Sequence, residues 1–397
     1  MERVREGAVS TPLELFFDLV FVFALTQVTG FMAHHPDSEG VIRGLLVLGL
    51  LWWSWGSYAW LGNVIKADEG LGRFAVLVAM AAMFVIALAI PEAFDDSPGG
   101  WSSPCTLAVG YLVLRVMHLA AFWALSAGDA GLRHQLMRFA VAMVPATTLL
   151  FIAAGVGGQA RTWIWAAALL LDLGGTWVGG ASGWRLRSAS HFAERHGLIV
   201  IIALGESVVA IGVGVSDKPL SGPIVAASLL GLAVSAALWF VYFDTSATLA
   251  EDALSHAPEE DRARLARDAY SYLHLPMVSG IALVALGLKK VVEHAAGGPG
   301  EVLSEPLSAI GVSALVLGVV VYLCGHVAFL CRCGYPIKYH RLLTAIALLP
   351  MLLIGRHVPS LVTLGAVAAA LHVMIAFELW RYAERRRALR HAGHQHD

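Results

Sequence analysis

A few polar side chains interrupt otherwise apolar stretches of this chain, and any chemistry has to be sought in them. Glu14 and Asp18 stand four residues apart, one helical turn, so their carboxylates share a helix face. Gln27 follows on the same run. Glu194, Arg195 and His196 form a second ionisable group, and Glu206 and Ser207 come about three turns further on in a Gly-Glu-Ser triplet. Arg115 and His118 are about one turn apart, and Asp172 stands in another apolar run. An unpaired charge at mid-membrane costs from about 2.5 to more than 10 kcal/mol, so such groups should face a protein interior and have partners.

Three readings follow from these residue types. In the first, Glu14, Asp18 and Gln27 from one part of the chain and Glu194, Glu206 and Ser207 from another line a polar track for a cation or proton. The Gly-Glu-Ser triplet suits this, because glycine admits close helix packing beside two polar side chains. In the second, Arg115 pairs with Asp172 or Glu206, Glu14 pairs with Arg195, and nothing passes. In the third, Glu14, Asp18, Glu194, Arg195 and His196 form an acid/base and phosphate-binding cluster of a membrane-embedded enzyme acting on a lipid or isoprenoid. The first reading leads, and it assigns no catalytic residue.

Other motifs carry less. Trp52, Trp53, Trp55, Tyr58 and Trp60 could cage a cation, but tryptophans at a span end are expected as interfacial anchors. Cys331 and Cys333 do not share a helix face, so with His340 they make no zinc site. His391, His394 and His396 belong to a solvated tail. The sequence has no Walker motif, G-x-G-x-x-G, H-E-x-x-H or G-x-S-x-G, and it calls for neither cofactor nor metal.

The elements that hold these residues are read from composition. Of 397 residues 58% are apolar and 14% charged, against about 45–50% and 25% in soluble domains, and the mean hydropathy is +0.70. A net charge of -2 argues against nucleic acid as a partner, and four cysteines do not make a disulfide scaffold. The partners expected are the lipid bilayer and a small cation or solute. Twelve apolar runs are long enough to cross about 30 Å of hydrocarbon. They are 13–33, 41–62, 71–91, 105–126, 132–155, 161–180, 193–215, 222–247, 270–292, 307–330, 338–356 and 358–380. Only helices of this length satisfy their own amides in lipid, so the fold class is an all-α polytopic membrane protein. The first run contains Glu14 and Asp18 and no small-residue cleavage site, so it is expected to remain as a span. The connection 248–269 has room for a surface helix. With both termini in the cytoplasm, 20 of the 27 Lys and Arg residues fall on the inner side and 6 on the outer, as the positive-inside rule requires.

The chain also looks written twice. Glu14 to Val28 reads ELFFDLVFVFALTQV, and Glu194 to Val208 reads ERHGLIVIIALGESV. Tyr111-x-x-x-Arg115 recurs as Tyr322-x-x-x-His326, Pro145 as Pro350 and Asp172 as Glu378. Each half has six spans, so two parallel six-helix repeats are expected over 1–187 and 188–382, related by an axis along the membrane normal and followed by a basic, His-containing tail, 383–397.

Thr11-Pro-Leu-Glu-Leu-Phe-Phe-Asp-Leu-Val-Phe-Val-Phe-Ala-Leu-Thr-Gln-Val28 resembles the opening signature of the bacterial low temperature requirement A family. His191-Phe-Ala-Glu-Arg-His-Gly-Leu-Ile-Val-Ile-Ile-Ala-Leu-Gly-Glu-Ser207 resembles its second signature, and the layout of spans agrees over nearly the whole chain. The resemblance implies a bacterial inner-membrane protein with a role in growth at low temperature or under stress, and supplies no reaction. A fainter likeness joins the Phe-Phe-Asp opening to a potassium-channel family with two six-helix repeats. There Phe17 replaces a serine and Pro12 an arginine. The function expected is a secondary transporter or channel for a small cation or proton-coupled solute, with the lipid enzyme as the alternative.

Overall fold

The computed structural model describes residues 7, 9–95, 99–216, 218–296 and 305–381. Arg3, Arg5 and the tail 383–397 with its three histidines lie outside the described residues. The elements are α1 (Pro12–His34), α2 (Ser38–Val64), α3 (Gly70–Ala89), α4 (Ser103–Leu125), α5 (Ala130–Ala154), α6 (Gly158–Gly179), α7 (Ala189–Val215) and α8 (Gly222–Phe243). Then come α9 (Ser246–His256), α10 (Glu259–Leu265), a π-helix (Ala266–Tyr272), α11 (His274–Ala295), α12 (Ala309–Arg332), α13 (Tyr339–Leu348), α14 (Met351–Ile354) and α15 (Ser360–Arg381). Among the described residues there is no β-strand, only an isolated bridge between Pro306 and Pro359.

All twelve apolar runs fall on helix, but only nine of the described helices are long and apolar enough to cross a membrane. The reasons are local. Helix α2 is 27 residues long, but Gly, Ser, Asn and four Trp lower its mean hydropathy. In α6, Arg161 and Asp172 do the same. The eleventh run is broken between α13 and α14 at Pro350, whose ring removes a backbone donor and clashes with the preceding turn. By contrast, α5 continues through Pro145. Outward-facing side chains are apolar too: Leu19, Val141, Leu170 and Trp163 are more than half exposed, as hydrocarbon solvent requires.

One expectation is corrected and another is refined. Trp52 and Trp55 are fully buried, and Trp53, Tyr58 and Trp60 nearly so; they are interior packing, not interfacial anchors. The 248–269 connection does hold helices with exposed faces, α9 and α10, but it is not surface throughout, since Ala266, Arg267, Asp268 and Ala269 are all buried. Arg267 and Asp268 neutralise each other at 2.7 Å, which is what allows adjacent charges to leave water.

The chain forms two compact units, Met1–Ala203 with Glu251–Leu275, and Leu204–Ala250 with Pro276–Asp397. In the first, α1 packs on α2 and α3, and α3 to α6 follow as successive neighbours. Helix α1 starts on a capping box: Glu14 accepts the Thr11 amide at 2.9 Å while the Thr11 hydroxyl faces the Glu14 amide. In the second, α8 packs on α15 and α12 on α13. Helices α11 and α12 meet backbone to backbone: a Cβ on Gly280 would lie 2.6 Å from the Gly318 carbonyl, and one on Gly287 2.7 Å from Leu315 Cα.

Candidate functional site

The first unit brings Glu14 and Asp18 of α1 against Arg195 of α7, and all three are buried. Arg195 Nη2 donates to Asp18 Oδ1 at 2.7 Å, and its Nη1 stands 3.3 Å from Glu14 Oε1. Trp55 Nε1 also donates to Asp18 Oδ1, at 2.7 Å, so one oxygen of that carboxylate is doubly bonded while Oδ2 has no partner. One guanidinium thus serves two carboxylates. With both ionised, the group carries a formal charge of -1 away from water.

His191 Nε2 lies 3.2 Å from Glu14 Oε2. Asn63 Nδ2 donates to the Ser188 carbonyl at 2.6 Å and stands 3.4 Å from His191 Nδ1. An amide donor at Nδ1 makes that nitrogen the acceptor, leaving the proton of neutral His191 on Nε2, aimed at Glu14. Asn63 Oδ1 accepts the Arg187 amide at 2.7 Å, so one side chain fixes both the segment entering α7 and the tautomer of its histidine. Gly62, next to it, is needed for space: any Cβ there would overlap Glu14 Oε1.

Beside this group is a buried aromatic cluster. His196 gives Nδ1 to the Phe192 carbonyl at 2.8 Å, and its ring meets Trp55 edge-on at 5.1 Å and Tyr270 at 5.2 Å. Trp52 packs on Trp55 at 4.9 Å and donates to the Ser271 carbonyl in the π-helix at 2.7 Å. Trp60 donates to the Ser271 hydroxyl at 3.0 Å.

A second buried ion pair lies elsewhere in this unit. Arg115 Nη2 donates to Asp172 Oδ1 at 2.7 Å and Nη1 to Ser57 Oγ at 2.8 Å, while the Tyr111 hydroxyl donates to Asp172 Oδ2. Of the partners open to Arg115 on sequence, the structure takes Asp172. His118 is buried against Phe122, Phe139 and Trp184.

Within the first unit, Glu194 and Gln27 do not join the acidic group. Glu194 is exposed, its Oε2 accepting the Ser10 amide at 3.0 Å. Gln27 is half-buried, nine residues along α1 from Asp18 and so about 13 Å away. Glu206 and Ser207 lie in the second unit, both buried.

That unit holds a charge cluster outside the predicted set. Arg341 Nε and Nη2 donate to the two oxygens of Glu378 at 2.6 and 2.8 Å, a bidentate pair, and His340 also meets Glu378. Arg341 Nη1 stands 2.7 Å from His326 Nδ1. The repeat pattern had marked His326 and Glu378. Arg341 gave no such signal, because it reads as a loop charge beside a broken span. His191 sits within the second signature, and Asn63 is an amide at the end of an apolar run. Among the described residues no three metal-ligating side chains converge.

Comparison with known proteins places this site in a family. The model for the bacterial low temperature requirement A protein matches residues 9–376, nearly the whole chain. The chain belongs to the low temperature requirement A family. The match includes all four residues of the acidic group, Glu14, Asp18, His191 and Arg195. The chain is also similar to an uncharacterized protein of Rhizobium meliloti (strain 1021), 28% identical over 296 residues, which cover 72% of this chain and 70% of that protein. No solved structure matches the chain. It is a membrane protein of this family by its apolar helices and its family match.

Proposed function

We propose that this protein is a proton-coupled secondary transporter of the bacterial inner membrane, moving a small solute or cation, with both termini in the cytoplasm and two parallel six-helix repeats. The observation that carries the reading is the buried group of two carboxylates and one guanidinium. A lone negative charge in a low-dielectric interior is costly, and one proton removes it. His191, with its Nε2–H facing Glu14, favours the ionised carboxylate, so the histidine contact changes when that proton binds. Arg195 holds both carboxylates, so a metal cation would have to displace it; this favours a carrier over an open pore.

The repeat has support of its own. Asp172 and Glu378, matched in sequence, each accept a guanidinium and at least one further donor, within their separate units. In the second half the guanidinium comes from Arg341, and His326, at the position matching Arg115, faces that arginine. Buried Glu206 and Ser207 extend the polar set, and a role in growth at low temperature or under stress enters with the family name. The lipid-enzyme alternative finds less support. Glu14 and Asp18 are both engaged by Arg195, Glu194 is exposed and bonded to the Ser10 amide, and His196 is walled in by rings.

The test is reconstitution of the full chain in liposomes holding a pH-sensitive dye, under gradients of monovalent cations and small solutes. Proton movement dependent on one of these, lost in Asp18→Asn and reduced in Glu206→Gln, is expected. Proton movement no greater than in protein-free liposomes across the panel ends the proposal.

A further inference from the structure

The first unit contains a cavity that the acidic group does not use. Trp60, Phe139 and Trp184 wall it, and its polar lining includes Trp53, Thr176 and Arg267. About 40 Å³ of it is free, room for roughly three to four non-hydrogen atoms at ~10–15 Å³ each. Three of the lining residues carry buried polar atoms without a hydrogen-bond partner: Trp53 Nε1 and Thr176 Oγ1, on residues 5% and 7% exposed, and the ring nitrogens of His118. Native proteins rarely leave such groups empty-handed, so an occupant is implied.

Its chemistry follows from the donors. Indole N–H only donates, and the threonine hydroxyl has its proton to give. Arg267 gives Nε and one Nη2 hydrogen to Asp268 at 2.8 and 2.7 Å and one from Nη1 to the Trp177 carbonyl at 3.4 Å. Of its five N–H groups, at least two on the terminal nitrogens remain to be given. Asp268 neutralises Arg267, but among the lining residues themselves there are donors and no carboxylate, so the wall offers more to an anion's oxygens than to a cation. The rest of the wall is aromatic, and gives an apolar end somewhere dry to sit.

The geometry points to a binding site for a short-chain monocarboxylate of acetate size, its oxygens on Trp53, Thr176 and Arg267 and its methyl group among the rings. Taken as the transported solute, this acid would deepen the coupled-transport reading and rests on it. An anion bound here and a proton bound at Asp18 and Glu14 would cross together without net charge. A bonded path joins the two sites: Trp60 of the cavity wall and Trp52 both donate to Ser271, and Trp52 packs on Trp55, which donates to Asp18. Binding alone requires no transport.

The experiment titrates acetate, propionate, acetamide, methylammonium, chloride and benzoate into the purified full chain in detergent, read by tryptophan fluorescence. Acetate should bind saturably in the micromolar to millimolar range that so few atoms allow, and propionate, one atom larger, more weakly. The neutral isostere acetamide, the cation methylammonium and the oversized benzoate should not. Thr176→Val and Trp53→Phe keep the shape and remove one donor each, and each should weaken acetate by about tenfold or more. Thr176→Ser should restore most of it, which separates a lost hydroxyl from a damaged fold. Equal binding of acetamide, tighter binding of methylammonium or chloride, or unchanged acetate affinity in both donor variants overturns the site. Asp18→Asn should bind acetate normally while losing proton movement in liposomes, so failure of this site and failure of proton coupling give different results.

Discussion

Gly62→Ala is the sharpest probe of the acidic group, because one methyl group meets one carboxylate. A Cβ at Gly62 would sit under 3.0 Å from Glu14 Oε1, closer than real Cβ contacts come. A carboxylate on a free side chain would swing aside at little cost. This one is tied to the Thr11 amide at 2.9 Å, the Thr11 hydroxyl at 3.0 Å, His191 at 3.2 Å and Arg195 at 3.3 Å. Retreat lengthens these bonds, and a lost charge-assisted hydrogen bond is worth about 1.5–3 kcal/mol. Staying put forces α1 and α2 apart, an overpacking cost of about 1–3 kcal/mol. Either route predicts a loss of about 2 kcal/mol, or several degrees in Tm. Gly56→Ala on the same helix meets nothing within 4 Å and should be neutral or slightly stabilising. Thermal unfolding of the detergent-solubilised chain by intrinsic fluorescence reads both. Combining Gly62→Ala with Glu14→Ala should recover at least about 1 kcal/mol relative to the sum of the single changes. The reasoning is refuted if Gly62→Ala unfolds with Gly56→Ala, or if removing the Glu14 carboxylate brings no relief.

Arg195→Met should cost about 3–5 kcal/mol by leaving two buried carboxylates uncompensated, and Arg195→Met with Glu14→Gln and Asp18→Asn should unfold closer to wild type; the same fluorescence assay decides. Arg341→Met, which strips the bidentate partner from Glu378, should cost a similar amount, with Arg341→Lys only partly restoring it because lysine cannot bind both oxygens at once. Burial pushes the Cys333 thiol up to about 12, so it is protonated at every ordinary pH and should resist maleimide in the folded protein, reacting only after denaturation. Mass spectrometry of labelled peptides checks this, and fast labelling of Cys333 at pH 8 would contradict it.

Hydropathy marks the helices well because backbone amides in lipid leave the chain few choices. It fails where a helix is surrounded by protein instead: α2 carries its glycines and tryptophans inward and reads as barely apolar. Spacing put Glu14 and Asp18 on one face, and the second signature held Arg195, so the heart of the acidic group was within reach. What spacing could not supply was direction. Glu194 and Arg195 are neighbours in sequence, yet a step of about 100° around α7 sends one into the interior and the other out of it. His191 and Asn63 were missed for the opposite reason, since a histidine and an amide near span ends resemble ordinary surface polarity until their partners are seen. The Arg267–Asp268 pair was hidden because adjacent opposite charges look solvated, whereas mutual neutralisation lets them be buried.

The glycine seam between α11 and α12 limits how the second unit can deform. Where two backbones touch, as at Gly280 with Gly318 and at Gly287 with Leu315, no layer of side chains remains to change rotamer, and sliding by a fraction of a turn would drive carbonyl into Cα. The two helices therefore act as a single stiff plank. A bend in that unit finds its place instead at Pro350, where the missing amide interrupts the hydrogen-bond ladder between α13 and α14.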